Sequence, residues 1–253
     1  MRIVLHRQER VAYLTIENPP LNVLNLSMLH DFENAMDSLE GDPGVDLLVI
    51  RGAGERAFSA GVDVKDHTRE RVPEMLKTVH GVIRKLLSLP QVTIAQVRGA
   101  CLGGGCELAA SCDLILASED SFFATPEINV GCYPPVALAR FPFQIGYYRA
   151  AEMILTGRRL SAREALEAGL ITRLASANDL ETALGALLVE LQSKSRAVLR
   201  IALRGLRETV LKSFVPALER AEDLYLHELI HTNDMEEGVR AFLEKRKPDW
   251  KHR

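Results

Sequence analysis

Three glycines followed by a glutamate are the first residues that could do chemistry. Gly103, Gly104 and Gly105 follow an apolar, β-branched stretch at 93–97, and Glu107 opens a segment typical of a helix. Such glycines leave backbone amides bare at a helix N-terminus, where they can stabilise an oxygen that becomes an anion during a reaction. A Gly-rich turn, with Glu107 as a dipole partner in the first helical turn, explains the same residues without any chemistry.

Glu127 is a second carboxylate that could serve the same reaction. It follows Pro126, 20 residues after Glu107 (127 − 107). Two carboxyl groups at one site can serve as a general base and a general acid, with the bare amides as donors to a developing oxyanion. Alone, Glu127 is equally typical of a loop carboxylate beside a proline.

Strands and helices alternate along the chain as far as about residue 192. Apolar or alternating stretches predict strands, and apolar residues at helical spacing predict helices. The order favours an α/β fold with parallel strands. The predicted elements are a hairpin at 3–5 and 11–16, strands at 47–50, 93–97, 114–117 and 122–125, and helices at 26–39, 75–89, 136–139, 162–168 and 178–191.

Strand patterns end after Ser193. We predict a core at 1–195 that contains the candidate site and an all-helical region at 196–253, which could pack on a neighbouring subunit as readily as on its own core. The helical segments of the second region are predicted at 197–209, 216–232 and 235–245.

Composition excludes several classes of function. The chain has 253 residues, a net charge of −3 and no basic stripe, so we expect no nucleic-acid partner. It has no apolar run long enough to cross a bilayer, and its N-terminus alternates like a strand, so we expect a cytoplasmic protein without a membrane partner. The four cysteines form no CxxC pair, which predicts buried free thiols rather than disulfides or a zinc site.

Two short motifs suggest rival functions. Residues 52–57 fit the dinucleotide pattern GxGxxA, but the stretch that follows interrupts the helix that this pattern requires. Residues 227–231, HELIH, match the zinc motif HExxH letter for letter. Little chain remains after His231 to supply a third ligand, although Glu244 could be one. An ordinary helix with two histidines one turn apart is the simpler interpretation.

Motifs across nearly the whole chain resemble the crotonase superfamily and, within it, the enoyl-CoA hydratases. They are AFSAGVDVK at 57–65, GGGCE at 103–107, TPE at 125–127, ILTG at 154–157 and GVRAFLEKRK at 238–247. The resemblance implies a crotonase-like spiral of ββα units. It also implies that the C-terminal helices build a homotrimer, or a dimer of trimers. The substrate would be an acyl-CoA, with no separate cofactor and no metal.

The resemblance also implies roles for individual residues. The amides of Val62 and Gly104 would form an oxyanion hole, and Glu107 and Glu127 would be the catalytic pair. In the implied addition of water to a carbon conjugated with a thioester, our hypothesis makes Glu107 the base for the water and Glu127 the acid for carbon, although coupled carboxyl groups titrate as a pair. Phe242 and Lys245 would reach the nucleotide of an adjacent subunit. The residues implied in substrate binding are Ala60, Asp63, Val64, Lys65, Gly103, Tyr133, Pro134, Phe242 and Lys245. Pro19 stands where the family has a lysine.

The acyl group is the least defined part of this hypothesis. Residues 133–137, YPPVA, replace the glycine-rich turn of short-chain hydratases and predict a stiffer pocket wall. This turn and 64–68 are similar to cyclohexa-1,5-diene-1-carbonyl-CoA hydratases, which implies a cyclic dienoyl substrate. The alternatives are an isomerase or thioester hydrolase of the same fold, a zinc peptidase through HELIH, and a non-catalytic acyl-CoA- or RNA-binding relative.

Overall fold

Two sheets form the framework of the protein. The computed structural model describes residues 1–253 and contains ten strands: β1 (Arg2–Gln8), β2 (Val11–Glu17), β3 (Leu47–Gly52), β4 (Ala57–Ser59), β5 (Val92–Val97), β6 (Ala100–Leu102), β7 (Leu114–Ser118), β8 (Phe122–Ala124), β9 (Leu160–Ser161) and β10 (Arg173–Ala175). The large sheet has the order β1-β2-β3-β5-β7-β10 and the small sheet β4-β6-β8-β9. Only β1 and β9 pair antiparallel with their neighbours.

Nine α-helices complete the fold. They are α1 (Leu26–Glu40), α2 (Val72–Ser88), α3 (Gly104–Ala110), α4 (Pro135–Gln144), α5 (Tyr147–Thr156), α6 (Ala162–Ala168), α7 (Leu180–Gln192), α8 (Arg196–His227) and α9 (Asn233–Leu243). Single 3₁₀ turns lie at Val64–His67, Pro126–Val130 and Leu229–His231. The capping box that the sequence predicts is present, since Ser161 Oγ accepts from Glu164 N and the Glu164 carboxylate accepts from Ser161 N.

Successive strand pairs build the two sheets together. The pairs β3 and β4, β5 and β6, and β7 and β8 each place their first strand in the large sheet and their second in the small one, and a helix follows each pair. The predicted spiral of ββα units is therefore confirmed, as is the N-terminal hairpin of β1 and β2.

Burial on both faces explains the apolar strands of the large sheet. In β3, Leu48 and Ile50 belong to the main core, whereas Leu47 and Val49 pack with leucines of α7 on the opposite face. Parallel strands covered on both sides need nearly continuous apolar residues. The sequence of β3 meets that need. The chain passes from β3 of the large sheet directly into β4 of the small sheet, which connects the two sheets.

Helix α8 is the main departure from the predicted elements. We predicted a break before Pro216, but α8 is continuous over 32 residues with Pro216 inside it. Proline removes one helical hydrogen bond, and packing offsets that loss. Phe214 and Leu218 on either side of the proline are buried in the main core, and Arg207 donates to Asp113 Oδ1 at 2.9 Å. Anchored at both places, the helix does not break.

The two rival motifs lack the geometry that their functions need. Gly52 ends β3 and the next residues turn into β4, so no helix opens at the dinucleotide pattern. His227 ends α8, Glu228 leaves the helix with φ −121°, and His231 lies in a 3₁₀ turn. The histidines of HELIH therefore do not share one helical turn.

The cysteines and the apolarity of the helices complete the description of the fold. All four cysteines are free and buried, which confirms the prediction from their spacing. No helix combines the length and the apolarity that crossing a bilayer would require.

Candidate active site

A cavity of about 370 Å³ opens beyond the carboxyl end of the small sheet. Strands β4, β6 and β8 lie side by side and parallel there, about 4.8 Å apart as in any sheet. Val62, Gly104 and Glu127 follow these three strands directly, and all three border the cavity. Glu107, one turn into α3, borders it as well. The structure thus brings together the four residues that the sequence proposed for chemistry.

The loops that carry Val62 and Gly104 touch each other. A Cβ added at Gly61 would lie 2.9 Å from Gly104 N, and one added at Gly104 would lie 3.6 Å from Val62 N. Gly61 has φ +89°, a conformation that glycine adopts without strain. The amides of Val62 and Gly104 donate no hydrogen bond within the protein. Two free donors this close together can serve a single oxyanion.

Glu107 is buried and held by backbone amides. Its side chain is 4% exposed, and its Oε1 accepts from Ala137 N at 2.9 Å, at the start of α4. Burial raises the pKa of Glu107 to about 7, although the amides of Ala137 and Val136 favour the carboxylate. The helix start therefore fixes one oxygen of Glu107 and leaves the rest of the carboxyl group to face the cavity.

Glu127 has fewer partners than Glu107. It lies in the second 3₁₀ turn, and its buried Oε2 has no hydrogen-bond partner. Burial, and then the charge of Glu107, raise the pKa of Glu127 to about 8. A Cβ at Gly103 would lie 2.7 Å from Glu127 Oε1, so the absent side chain at Gly103 makes room for the carboxyl group. Both carboxyl groups therefore keep their protons to a higher pH than ordinary carboxyl groups do, and the two titrate as a pair.

Most of the predicted substrate-binding residues line the cavity. Ala60, Val64, Gly103, Tyr133 and Pro134 all border it. Tyr133 Oη donates to Ala221 O at 2.8 Å, which fixes the ring as part of a stiff wall.

Phe242 lines the cavity of its own chain. Helix α9 packs against the 3₁₀ turns Val64–His67 and Pro126–Val130, which border the cavity, and this packing brings Phe242 to the site. Its contact with the nucleotide of an adjacent subunit stays a prediction.

Three predicted binding residues lie away from the cavity. The carboxylate of Asp63 caps the first 3₁₀ turn by accepting from Lys65 N at 3.1 Å, so it is turned toward the backbone. Lys65 and Lys245 are exposed and do not border the cavity. Lys245 follows the end of α9 with φ +55°, and its neighbour Arg246 borders the cavity instead.

Sequence reasoning missed a polar part of the cavity wall. His80 on α2 and Tyr225 on α8 border the cavity, and each is 1% exposed. His80 is the only ionisable residue on the buried face of α2, and that position could have drawn attention to it. Its partner Glu222 is 142 residues away, so no local pattern joins them.

Comparison with known proteins identifies the family. The pattern that defines the enoyl-CoA hydratase/isomerase family matches residues 6–253. The chain belongs to this family. A probable enoyl-CoA hydratase of Mycobacterium tuberculosis is 34% identical over 257 residues, which cover 99% of this chain and 98% of that protein. The cyclohexa-1,5-dienecarbonyl-CoA hydratase of Thauera aromatica is 31% identical over 253 residues, with 100% and 97% covered.

A solved family structure has the same fold. The enoyl-CoA hydratase from Mycobacterium avium subsp. paratuberculosis superposes with a TM-score of 0.88 at 29% identity, with 98% of both chains covered. This likeness over the full length includes the C-terminal helices, so α8 and α9 are part of the family fold.

Proposed function

We propose that this protein adds water to the double bond of an α,β-unsaturated acyl-CoA thioester. One observation carries the proposal: two free amides and two buried carboxyl groups with raised pKa values border a single cavity. Donors of this kind stabilise an oxyanion by about 3 to 4 kcal/mol each. The wall of the cavity is otherwise largely apolar and suits an acyl chain.

The proposed reaction uses the two glutamates in different roles. The thioester oxygen accepts from Val62 N and Gly104 N, so it can take negative charge as an enolate. Glu107, held by α4, removes a proton from water, whose oxygen bonds to the β-carbon. Glu127 gives its proton to the α-carbon, and the enolate becomes a thioester again. Transfer of the captured proton from Glu107 to Glu127 restores the starting state, so one water is consumed in each turnover.

The bulk of the cavity wall supports a compact acyl group. Tyr133 packs edge-on against Tyr225, with ring centroids 5.0 Å apart, and Pro134 follows it. We propose a cyclic dienoyl-CoA as substrate, which agrees with the name of the relative from Thauera aromatica. Assays with the cyclic dienoyl-CoA and with crotonyl-CoA test this choice. A strong preference for crotonyl-CoA would remove the ring proposal.

We also propose that the protein acts in the cytoplasm as a homotrimer or a dimer of trimers. Val198, Ile201 and Leu206 of α8 are 63% to 69% exposed, which is unusual for large apolar side chains. Light scattering during gel filtration measures the assembly, and a monomer would refute it.

Replacing each glutamate tests the mechanism. Glu107→Gln and Glu127→Gln should each lower the hydration rate by about 10² to 10⁴ while acyl-CoA binding stays similar. Mass analysis of the products separates hydration from double-bond migration and thioester cleavage, the reactions of an isomerase and a hydrolase. Full activity in Glu127→Gln would exclude its role as the acid.

A further inference from the structure

One buried histidine in the cavity wall has no role in the proposed hydration. His80 lies on α2 among Met75, Leu76 and Val79, all of which border the cavity. It is 1% exposed. A polar ring in an apolar wall costs free energy unless its nitrogen atoms are paired. A ring nitrogen that has no partner in the protein therefore indicates a hydrogen-bonding group in the ligand.

A carboxylate from α8 fixes the orientation of His80. Its Nδ1 lies 2.6 Å from Glu222 Oε1, which also accepts from Arg84 Nη2 at 2.9 Å. Burial favours the neutral carboxyl group, but hydrogen bonds from His80 and Arg84, with the charge of Arg84, hold the pKa of Glu222 below its ordinary value. An ionised carboxylate only accepts, so Nδ1 carries the proton of the imidazole. Burial lowers the pKa of His80, which leaves the ring neutral and Nε2 an acceptor.

The second ring nitrogen of His80 is free to meet a ligand in the cavity. Nε2 makes no hydrogen bond within the protein, and neither Glu107 nor Glu127 is a hydrogen-bond partner of the ring. Tyr225 lies one helical turn after Glu222 and borders the same cavity, and its buried hydroxyl group has the Cys132 thiol beside it but no nitrogen or oxygen partner. A polar atom left without a good partner in an apolar wall costs about 1 to 3 kcal/mol. Nε2 of His80 and the hydroxyl group of Tyr225 in one wall therefore indicate a polar ligand.

We infer that this wall is a binding subsite for a hydroxyl group carried by the acyl chain or ring of the substrate, with its O–H donating to Nε2 of His80. This inference rests on the proposed function, because it specifies the acyl group of that reaction. A hydroxyl group fits better than the other common substituents. A keto group has no proton to donate to Nε2, and a carboxylate would be repelled by Glu222 directly behind the ring.

Two substitutions separate binding by His80 from a purely structural role. In His80→Asn the amide nitrogen takes the place of Nδ1 and can still donate to Glu222, but the acceptor at Nε2 is lost. In His80→Gln the amide oxygen can take the place of Nε2, and the contact with Glu222 is lost. His30→Asn is the matched control, because His30 is an exposed histidine of α1.

Calorimetric binding of saturated acyl-CoA pairs tests the subsite without turnover. The pairs are 6-hydroxyhexanoyl-CoA with heptanoyl-CoA, and 4-hydroxycyclohexanecarbonyl-CoA with its 4-methyl analogue. We expect the wild type and His30→Asn to bind the hydroxylated member of at least one pair about 10-fold more tightly, as one added hydrogen bond allows. His80→Asn should lose this preference, and His80→Gln should keep part of it.

Equal affinities within both pairs, or the same preference in His80→Asn as in the wild type, would overturn the inference. Hydration of enoyl-CoA, measured in parallel, shows which proposal has failed. A protein that hydrates enoyl-CoA without preferring hydroxylated ligands loses only the subsite. A protein that binds neither member of a pair and hydrates no enoyl-CoA loses the proposed function and the subsite with it.

Discussion

Alanine at Gly103 should disable the active site through a single methyl group. Gly103 has φ +53° and ψ −131°, and a Cβ there would lie 2.7 Å from Glu127 Oε1. Real Cβ atoms do not approach an oxygen so closely, so the carboxyl group must move. The backbone conformation adds about 1 to 3 kcal/mol of strain for any residue with a Cβ. If Glu127 supplies the proton to carbon, its displacement should lower kcat by about 10² to 10⁴.

A second glycine provides the control for backbone strain. Gly146 precedes α5 as Gly103 precedes α3, and it has φ +81° with no atom within 4 Å of the point that a Cβ would occupy. Gly146→Ala should therefore lose a similar amount of stability and keep its kcat. Urea unfolding gives the stability of both variants, and steady-state hydration of enoyl-CoA gives their kcat. Wild-type kcat in a folded Gly103→Ala protein would refute the placement of Glu127 at the reacting carbon.

Three further outcomes are expected. The hydration rate should show a bell-shaped dependence on pH. It should rise as Glu107 loses its proton near pH 7 and fall as Glu127 loses its proton near pH 8. A rate that does not change with pH would contradict this pairing. Because both folded pKa values lie above the ordinary 4.5, the folded state holds more protons. Unfolding free energy should therefore fall as pH rises from about 5 to 8, and less steeply in Glu127→Gln. Arg207→Met leaves the partly buried Asp113 without its ion-pair partner, so the variant should lose about 3 to 5 kcal/mol of unfolding free energy in urea. Arg204→Met, which removes an exposed ion pair, should lose under about 1 kcal/mol. Equal losses in the two variants would refute the anchoring role of Arg207.

Local patterns in the sequence predicted the parts of the fold that local physics determines. The strands β3, β5 and β7 were predictable because their apolar runs reflect burial on both faces of a sheet. Helix α6 was predictable from its capping box. The triple glycine at 103–105 drew attention because glycines must stand where two backbones touch, as Gly61 and Gly104 do, whereas the role of Val62 was implied only by the family resemblance.

Contacts between distant segments account for what was missed. Pro216 is an unfavourable residue inside a helix, and distant contacts of Phe214 and Leu218 with the core and of Arg207 with Asp113 keep α8 whole. The pairing of His80 with Glu222 depends on how α2 and α8 pack, which no local period records.

The adjacent strands β4, β6 and β8 allow a family of enzymes to keep the arrangement of the site residues while it varies the compartment for the ligand. Main-chain bonding within the small sheet keeps Val62, Gly104 and Glu127, which follow its strands, near one another, whatever side chains those strands carry. The helices α2 and α8, which come from elsewhere in the chain, shape the compartment for the rest of the ligand. New ligands can therefore be accommodated by substitutions on these helices while the chemistry stays the same, and libraries that aim to change specificity belong there.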